Sequence, residues 1–140
     1  MPSKNHSIVQ RNLIFQLLLH YGEQYEIFSE VSHELSDWES RPDLAIFPKM
    51  KIDFLEDEIR LTETPLAIIK ILTPTQALAE LTTKTNKYFK NGAKSCWLVL
   101  PTLKNIYVFS TITDYYIFNT QEILKDESLG IEIHLVEIFK

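Results

Sequence analysis

Lys84, Lys87, Lys90 and Lys94, set three, three and four residues apart, form the most regular array of chemically active side chains in the sequence. On a helix that spacing draws a stripe, which suits contacts to a phosphate backbone and equally suits an ordinary solvated face. Glu80 lies four residues before Lys84, the separation of an intrahelical ion pair. Lys70 is the one charge inside the apolar run from Pro65 to Leu72, so its ammonium must either snorkel to water or meet a partner. Asp43 directly follows Pro42, a pair often used to cap a turn. None of these four features fixes a reaction by itself.

Several site types are excluded. The chain has no G-x-G-x-x-G, no P-loop, no G-x-S-x-G and no H-E-x-x-H, and His6, His20, His33 and His134 are too scattered to suggest zinc. Cys96 is the only cysteine, so an internal disulfide is impossible and a reducing compartment is expected. Cys96 and Trp97 read most simply as core residues. Net charge is −5, but residues 64–104 carry six lysines against Glu80 alone, while residues 23–63 are strongly acidic. A globally basic nucleic-acid binder is therefore ruled out, and a local basic face is not.

The elements that must position these side chains follow from patterning. At 140 residues and 45% hydrophobic, the chain is expected to form one domain over residues 1–140. Residues 7–21 read as a helix ended by Gly22, with apolar positions round most of its circumference. Such a helix is deeply buried or shared with a second subunit, so a homodimer through residues 8–19 is expected. Its apolar run, broken by Gln16, is far short of the roughly 20 residues of a membrane span, and no A-x-A cleavage site follows. A cytoplasmic location and no membrane partner are expected. Strands are expected at 25–31 and 41–47, with a polar stretch to Ser40 between them and a charged loop at 49–63. The run 65–72 has the continuous apolarity of a strand covered on both faces in an α/β sheet. Thr73, Pro74 and Gln76 make a capping box for a helix running to Asn91, with Gly92 as its left-handed cap. Residues 95–100 and 105–110 read as an antiparallel pair turned at Pro101, and 115–118 as a further strand. A short helix is expected within 121–129, and alternation returns over 131–139.

In this order the residues resemble a known family. Pro42-Asp43, the run Pro65 to Thr75 with Lys70 inside it, Lys84 with Tyr88, Gly92, and Trp97-Leu98-Val99-Leu100-Pro101 are similar to motifs of the putative restriction endonuclease family expanded in cyanobacteria. That family belongs to the PD-(D/E)XK nuclease superfamily, and the likeness covers roughly residues 6–110. It implies an α/β, restriction-endonuclease-like fold with a mixed central sheet flanked by helices. In the superfamily the Asp of the PD element and an acid on the next core strand hold Mg²⁺, while a lysine positions or activates the attacking water.

Carried over residue by residue, the likeness makes Asp43 the first ligand and fits Lys84, with Glu80 one turn before it, to the family's helix, so that Asp43, Lys70 and Lys84 are the candidate catalytic residues. At the place of the core acid stands Lys70, and if Lys70 is taken instead as the core-strand lysine, the acid position is Ile68. Either alignment loses a carboxylate. An ammonium beside Mg²⁺ adds repulsion and removes a ligand oxygen. The expected arrangement is therefore an ion pair of Lys70 with Asp43 in place of the metal. His6 falls where many relatives have a histidine. Three functions compete: a nuclease-fold protein with a degenerate site that retains nucleic-acid binding through Lys84, Lys87, Lys90 and Lys94; an active Mg²⁺-dependent DNA endonuclease using Asp43, Glu80 and Lys84 or Lys70; and a homodimeric protein-interaction module.

Overall fold

The structure is a computed structural model that describes residues 3–35, 38–73 and 78–140. The elements in chain order are α1 (Lys4–Tyr21), β1 (Tyr25–Ser29), β2 (Ser32–Leu35), β3 (Trp38–Ser40), β4 (Leu44–Pro48), β5 (Arg60–Leu61), β6 (Ala67–Ile71), α2 (Leu78–Lys90), β7 (Ser95–Leu100), β8 (Asn105–Phe109), β9 (Tyr115–Asn119), β10 (Ile123–Asp126), β11 (Ile131–His134) and a 3₁₀ turn at Leu135–Glu137. Six strands form the central sheet in the order β1-β4-β6-β7-β8-β9. Only β6 and β7 pair in parallel, across the α2 crossover; the other neighbours are antiparallel. This is the mixed α/β sheet expected from the sequence.

Period-two alternation sorts each strand between two cores. Leu44 and Ile46, Ala67, Ile69 and Ile71, Trp97 and Val99, and Ile106 and Val108 face α1 and the C-terminal hairpin. Ile68, Cys96 and Leu98, and Phe109 face Leu81 and Tyr88 of α2. Because both faces are covered, β6 and β7 read as continuous apolar runs, and Trp97 is fully buried.

The C-terminal ends of both helices fall where the sequence indicates, whereas α1 starts at Lys4, three residues before the expected start. Ser3 caps α1 by accepting from the His6 backbone N–H at 3.1 Å. Gly22 follows α1, and Gly92 follows α2 with φ +104°, a conformation glycine adopts without strain. The expected box at Thr73, Pro74 and Gln76 falls on the start of α2, where residues 74–77 lie outside the described residues.

Three expectations are corrected. The polar stretch before Ser40 contains strands: β2 pairs antiparallel with β3 and parallel with β5, making a second, three-stranded sheet. His33 and Leu35 point inward and are buried, while Glu34 between them is exposed, an alternation that the run of polar letters conceals. The loop at 49–63 ends in β5 for the same reason. Residues 121–129 hold no helix; β10 and β11 form an antiparallel hairpin whose turn uses Gly130 at φ +68°. There Leu124 and Asp126 are buried on one side of a strand, and a helix would separate them.

In α1, Val9, Leu13 and Leu17 are buried, whereas Phe15, Leu18 and Leu19 remain exposed on the outer side. No helix among the described residues is long and apolar enough to cross a membrane.

Candidate functional site

Register places the first two residues of the site. Leu44 opposes Ile69 across β4 and β6, so the next residues outward are Asp43, just before β4, and Lys70. Their charged ends meet: Lys70 Nζ lies 3.6 Å from Asp43 Oδ2. The Asp43 side chain is only 7% exposed and that of Lys70 24%, so the pair sits at the mouth of the core.

The carboxylate of Asp43 has two further partners. The Ile71 backbone N–H donates to Oδ2 at 2.6 Å, and Nε2 of His6 lies 3.0 Å from Oδ1. His6 is buried and reaches Asp43 from the first turn of α1, which its own backbone bond to Ser3 fixes in place. One turn on, Gln10 donates to the Asp43 carbonyl at 3.3 Å, and the Glu30 N–H donates to the same oxygen at 3.0 Å. Asp43 is therefore clamped by α1, by the end of β6 and by the residue after β1. The carboxylate itself meets the Lys70 ammonium, the Ile71 N–H and His6, which together satisfy the polar needs of a buried acid.

Beside the pair opens a cavity of about 510 Å³ lined by Ser32, Glu39, Ser40, Arg41, Pro42, Ile68, Lys70, Leu81, Lys84, Thr85 and Tyr88. Three cations, Arg41, Lys70 and Lys84, thus border one concavity between the small sheet, β6 and α2. Tyr88 forms its wall; burial pushes its hydroxyl up to about 12, partly countered by Ser40, so it stays a neutral phenol. Behind that wall His33 is fully buried, stacked on Phe47 with centroids 5.6 Å apart and edge-on to Tyr88 at 6.3 Å. Among the described residues its ring nitrogens meet no side-chain partner, and burial holds its pKa below the ordinary value, with the Val31 backbone acting the other way.

Asp43, Lys70 and Lys84 are thus gathered at one place, and Glu80 is not. Glu80 stands on the outside of α2, 4.0 Å from Lys84 across an exposed i,i+4 pair, and it does not line the cavity. Lys87, Lys90 and Lys94 are exposed on and just beyond α2. Among the described residues no three His, Cys, Asp or Glu side chains converge as a metal-binding group. Arg41 was not singled out from the sequence, although its place beside Pro42-Asp43 was the available signal. Glu39 and Ser40 had none, because β3 was not foreseen.

A second buried carboxylate is structural. Asp126 of β10 accepts from Ser95 Oγ at 2.9 Å and from Trp97 Nε1 at 2.8 Å, tying the C-terminal hairpin to β7.

No curated protein matches this chain. The crystal structure of a protein described as a putative nuclease belonging to DUF820, from Anabaena variabilis, superposes with a TM-score of 0.85 at 19% identity, covering 99% of this chain and 82% of that one. At that identity the likeness establishes the fold, a nuclease neighbour's mixed sheet with its helices. The sequence itself matches, over residues 1–135, the family described as "Uma2: Putative restriction endonuclease". With residues 1–135 of the 140 matched, the protein belongs to the Uma2 restriction-endonuclease-like family.

Proposed function

We propose that this protein binds nucleic-acid phosphates on a nuclease fold whose metal site has been replaced by the Asp43–Lys70 ion pair, so that binding outlives phosphodiester hydrolysis. The observation that carries the reading is the set of partners on Asp43: the Lys70 ammonium at 3.6 Å, the Ile71 N–H at 2.6 Å and His6 at 3.0 Å. The residues present do not fit Mg²⁺. A hard cation needs several anionic or neutral oxygens, and beside Asp43 stand a lysine at 70 and an isoleucine at 68, with Glu80 turned to Lys84.

On this reading Arg41, Lys70 and Lys84 receive a backbone phosphate in the cavity they line, and Lys87, Lys90 and Lys94 extend the positive track along α2. The acidic remainder of the chain opposes non-specific adhesion elsewhere. The protein acts as a homodimer, which presents two such tracks to a duplex.

The test is fluorescence anisotropy of a labelled 20-mer duplex titrated with protein in EDTA over a range of salt, paired with a cleavage assay in Mg²⁺ and Mn²⁺. The expected result is metal-independent binding that weakens steeply with salt and leaves the DNA intact. Metal-dependent cleavage lost in Glu80→Gln would instead establish the endonuclease using Asp43, Glu80 and Lys84. No binding at any salt would leave the protein-interaction module.

A further inference from the structure

The cavity beside Asp43 is sorted by charge along its length. On β6, Ile68 and Lys70 share one face and stand two residues, or about 7 Å, apart. On α2, Lys84 and Tyr88 are one turn, or about 6 Å, apart. Because α2 connects the parallel strands β6 and β7, it runs back against them, which sets Lys84 toward Lys70 and Tyr88 toward Ile68. On the third side Arg41 follows Ser40, and Ser40 hydrogen-bonds the Tyr88 hydroxyl. One end of the cavity therefore carries Arg41, Lys70 and Lys84, and the other carries apolar side chains and hydroxyls. Glu39, the one anion in the lining among the described residues, is held by Arg60 at 3.4 Å.

The uncharged end is closed. His33, the strand partner of Ser40, packs on Phe47 of β4 and on Tyr88 of α2, so the small sheet, the central sheet and the helix meet behind it. A nucleic-acid strand that enters from the cationic end has no way through. An internal phosphate of a duplex would use the cations alone and leave the far end unfilled, and a paired base does not reach that end from within its stack.

We infer that the cavity takes one unpaired nucleotide at the end of a strand, with its phosphate among Arg41, Lys70 and Lys84 and its base against Ile68 and Leu81. The inference rests on the nucleic-acid reading above and names the unit that the cavity receives. Its volume, about 510 Å³, is that of a site for one small organic ligand. Arg41 is exposed and makes no ion pair among the described residues. Lys70, at 3.6 Å from Asp43, and Lys84, at 4.0 Å from Glu80, each keep N–H groups for a further acceptor. The Ser40 hydroxyl both donates and accepts, so it meets the polar edge that any base presents and sets no strong preference among bases. Selection is thus for an unpaired end and not for a sequence.

Competition against a fluorescently labelled 20-mer duplex, read by anisotropy in EDTA, tests the assignment. The same duplex carrying a three-nucleotide single-stranded overhang should compete at least roughly tenfold better than its blunt form. Deoxyadenosine monophosphate should remove that advantage, and inorganic phosphate at the same concentration should not. Ser40→Phe, with folding verified by circular dichroism, fills the closed end and should bring the overhang down to the blunt affinity; if that variant does not fold, the comparison of competitors on the parent decides alone. Equal affinity for blunt and overhang forms, with no effect of the mononucleotide, overturns the inference and leaves the phosphate-binding reading intact. Mononucleotide binding without any gain from the overhang overturns the strand end and makes a free nucleotide the ligand. Absence of binding to every nucleic acid overturns the proposed function and the inference with it.

Discussion

Replacing Lys70 by Glu asks directly whether the ion pair stands where a metal would. At 3.6 Å and an effective dielectric near 20, the Lys70–Asp43 attraction is about 5 kcal/mol gross, and the substitution turns it into repulsion between two carboxylates of similar size. Solvation offsets much of this, since the Lys70 side chain is 24% exposed and a glutamate there would reach water in part. A net loss of about 3 kcal/mol in EDTA at neutral pH is expected, the low end for breaking a largely buried pair. Divalent metal should reverse the loss in the variant. Bound only by the folded state and supplied at a hundred times its dissociation constant, Mn²⁺ returns about 2.7 kcal/mol, or roughly 10 °C in melting temperature for a chain of this size.

The assay is differential scanning calorimetry of parent and Lys70→Glu with and without Mn²⁺, backed by isothermal titration. The expected outcome is a large metal-dependent rise in the variant and a negligible one in the parent. Equal stabilisation of both would refute the reasoning, because it would mean that Asp43 already coordinates metal with Lys70 in place. Lys70→Met separates charge from packing: it leaves Asp43 with His6 and the Ile71 N–H and should gain no metal response.

Three further outcomes rest on other buried or charged groups of the fold. His33 is buried with its pKa held below that of the unfolded chain, so the unfolded state takes up a proton first. Its contribution to stability is complete above about pH 6.5 and declines as pH falls below that value, at up to about 1.4 kcal/mol per pH unit. Melting curves between pH 7.5 and 5 should flatten in His33→Phe, and an unchanged slope would assign the acid sensitivity elsewhere. Asp126→Ala leaves the Ser95 hydroxyl and the Trp97 indole N–H unpaired in the core and should cost about 3 kcal/mol in urea denaturation, against under 1 kcal/mol if water replaces the carboxylate. Changing Lys87 and Lys90 together to Glu should weaken duplex binding and reduce the dependence of log K on log salt by about two phosphate contacts; unchanged affinity would make the stripe a solvated face.

Those residues that could be read from the sequence are the ones whose structure is set by near neighbours. Continuous apolarity marked β6 and β7, the glycines at 22 and 92 marked the helix ends, and the Pro101 turn marked the β7–β8 hairpin. The misread segments depend on distant contacts. In β2, His33 is inward because Phe47 and Tyr88 receive it, and nothing in Ser32-His33-Glu34-Leu35 announces that. Asp126 is inward because Ser95 and Trp97 supply donors from β7, and nothing in the letters of 121–129 announces those distant partners. In α1 the breadth of the apolar surface is legible in the letters, and only the packing divides it into Val9, Leu13 and Leu17 inside and Phe15, Leu18 and Leu19 outside.

The site divides along the same line. Lys70 is visible as the one charge in an apolar run, and the strand register that brings it to Asp43 follows from the neighbouring pair Leu44–Ile69. The remaining partners of Asp43 come from the first turn of α1 and from a backbone N–H, and neither leaves a spacing to recognise. These partners bear on why a lysine is tolerated here. Two carboxylates facing one another destabilise a fold until a divalent ion joins them, so stability and metal loading are coupled. With Lys70 the counter-charge is covalently part of the chain, and His6 and Ile71 complete the shell of Asp43. On the proposed reading the fold gains the stabilisation that metal would bring without depending on metal, and the cations left facing the cavity, Arg41 and Lys84 beside Lys70, keep the affinity for phosphate that the ancestral chemistry required.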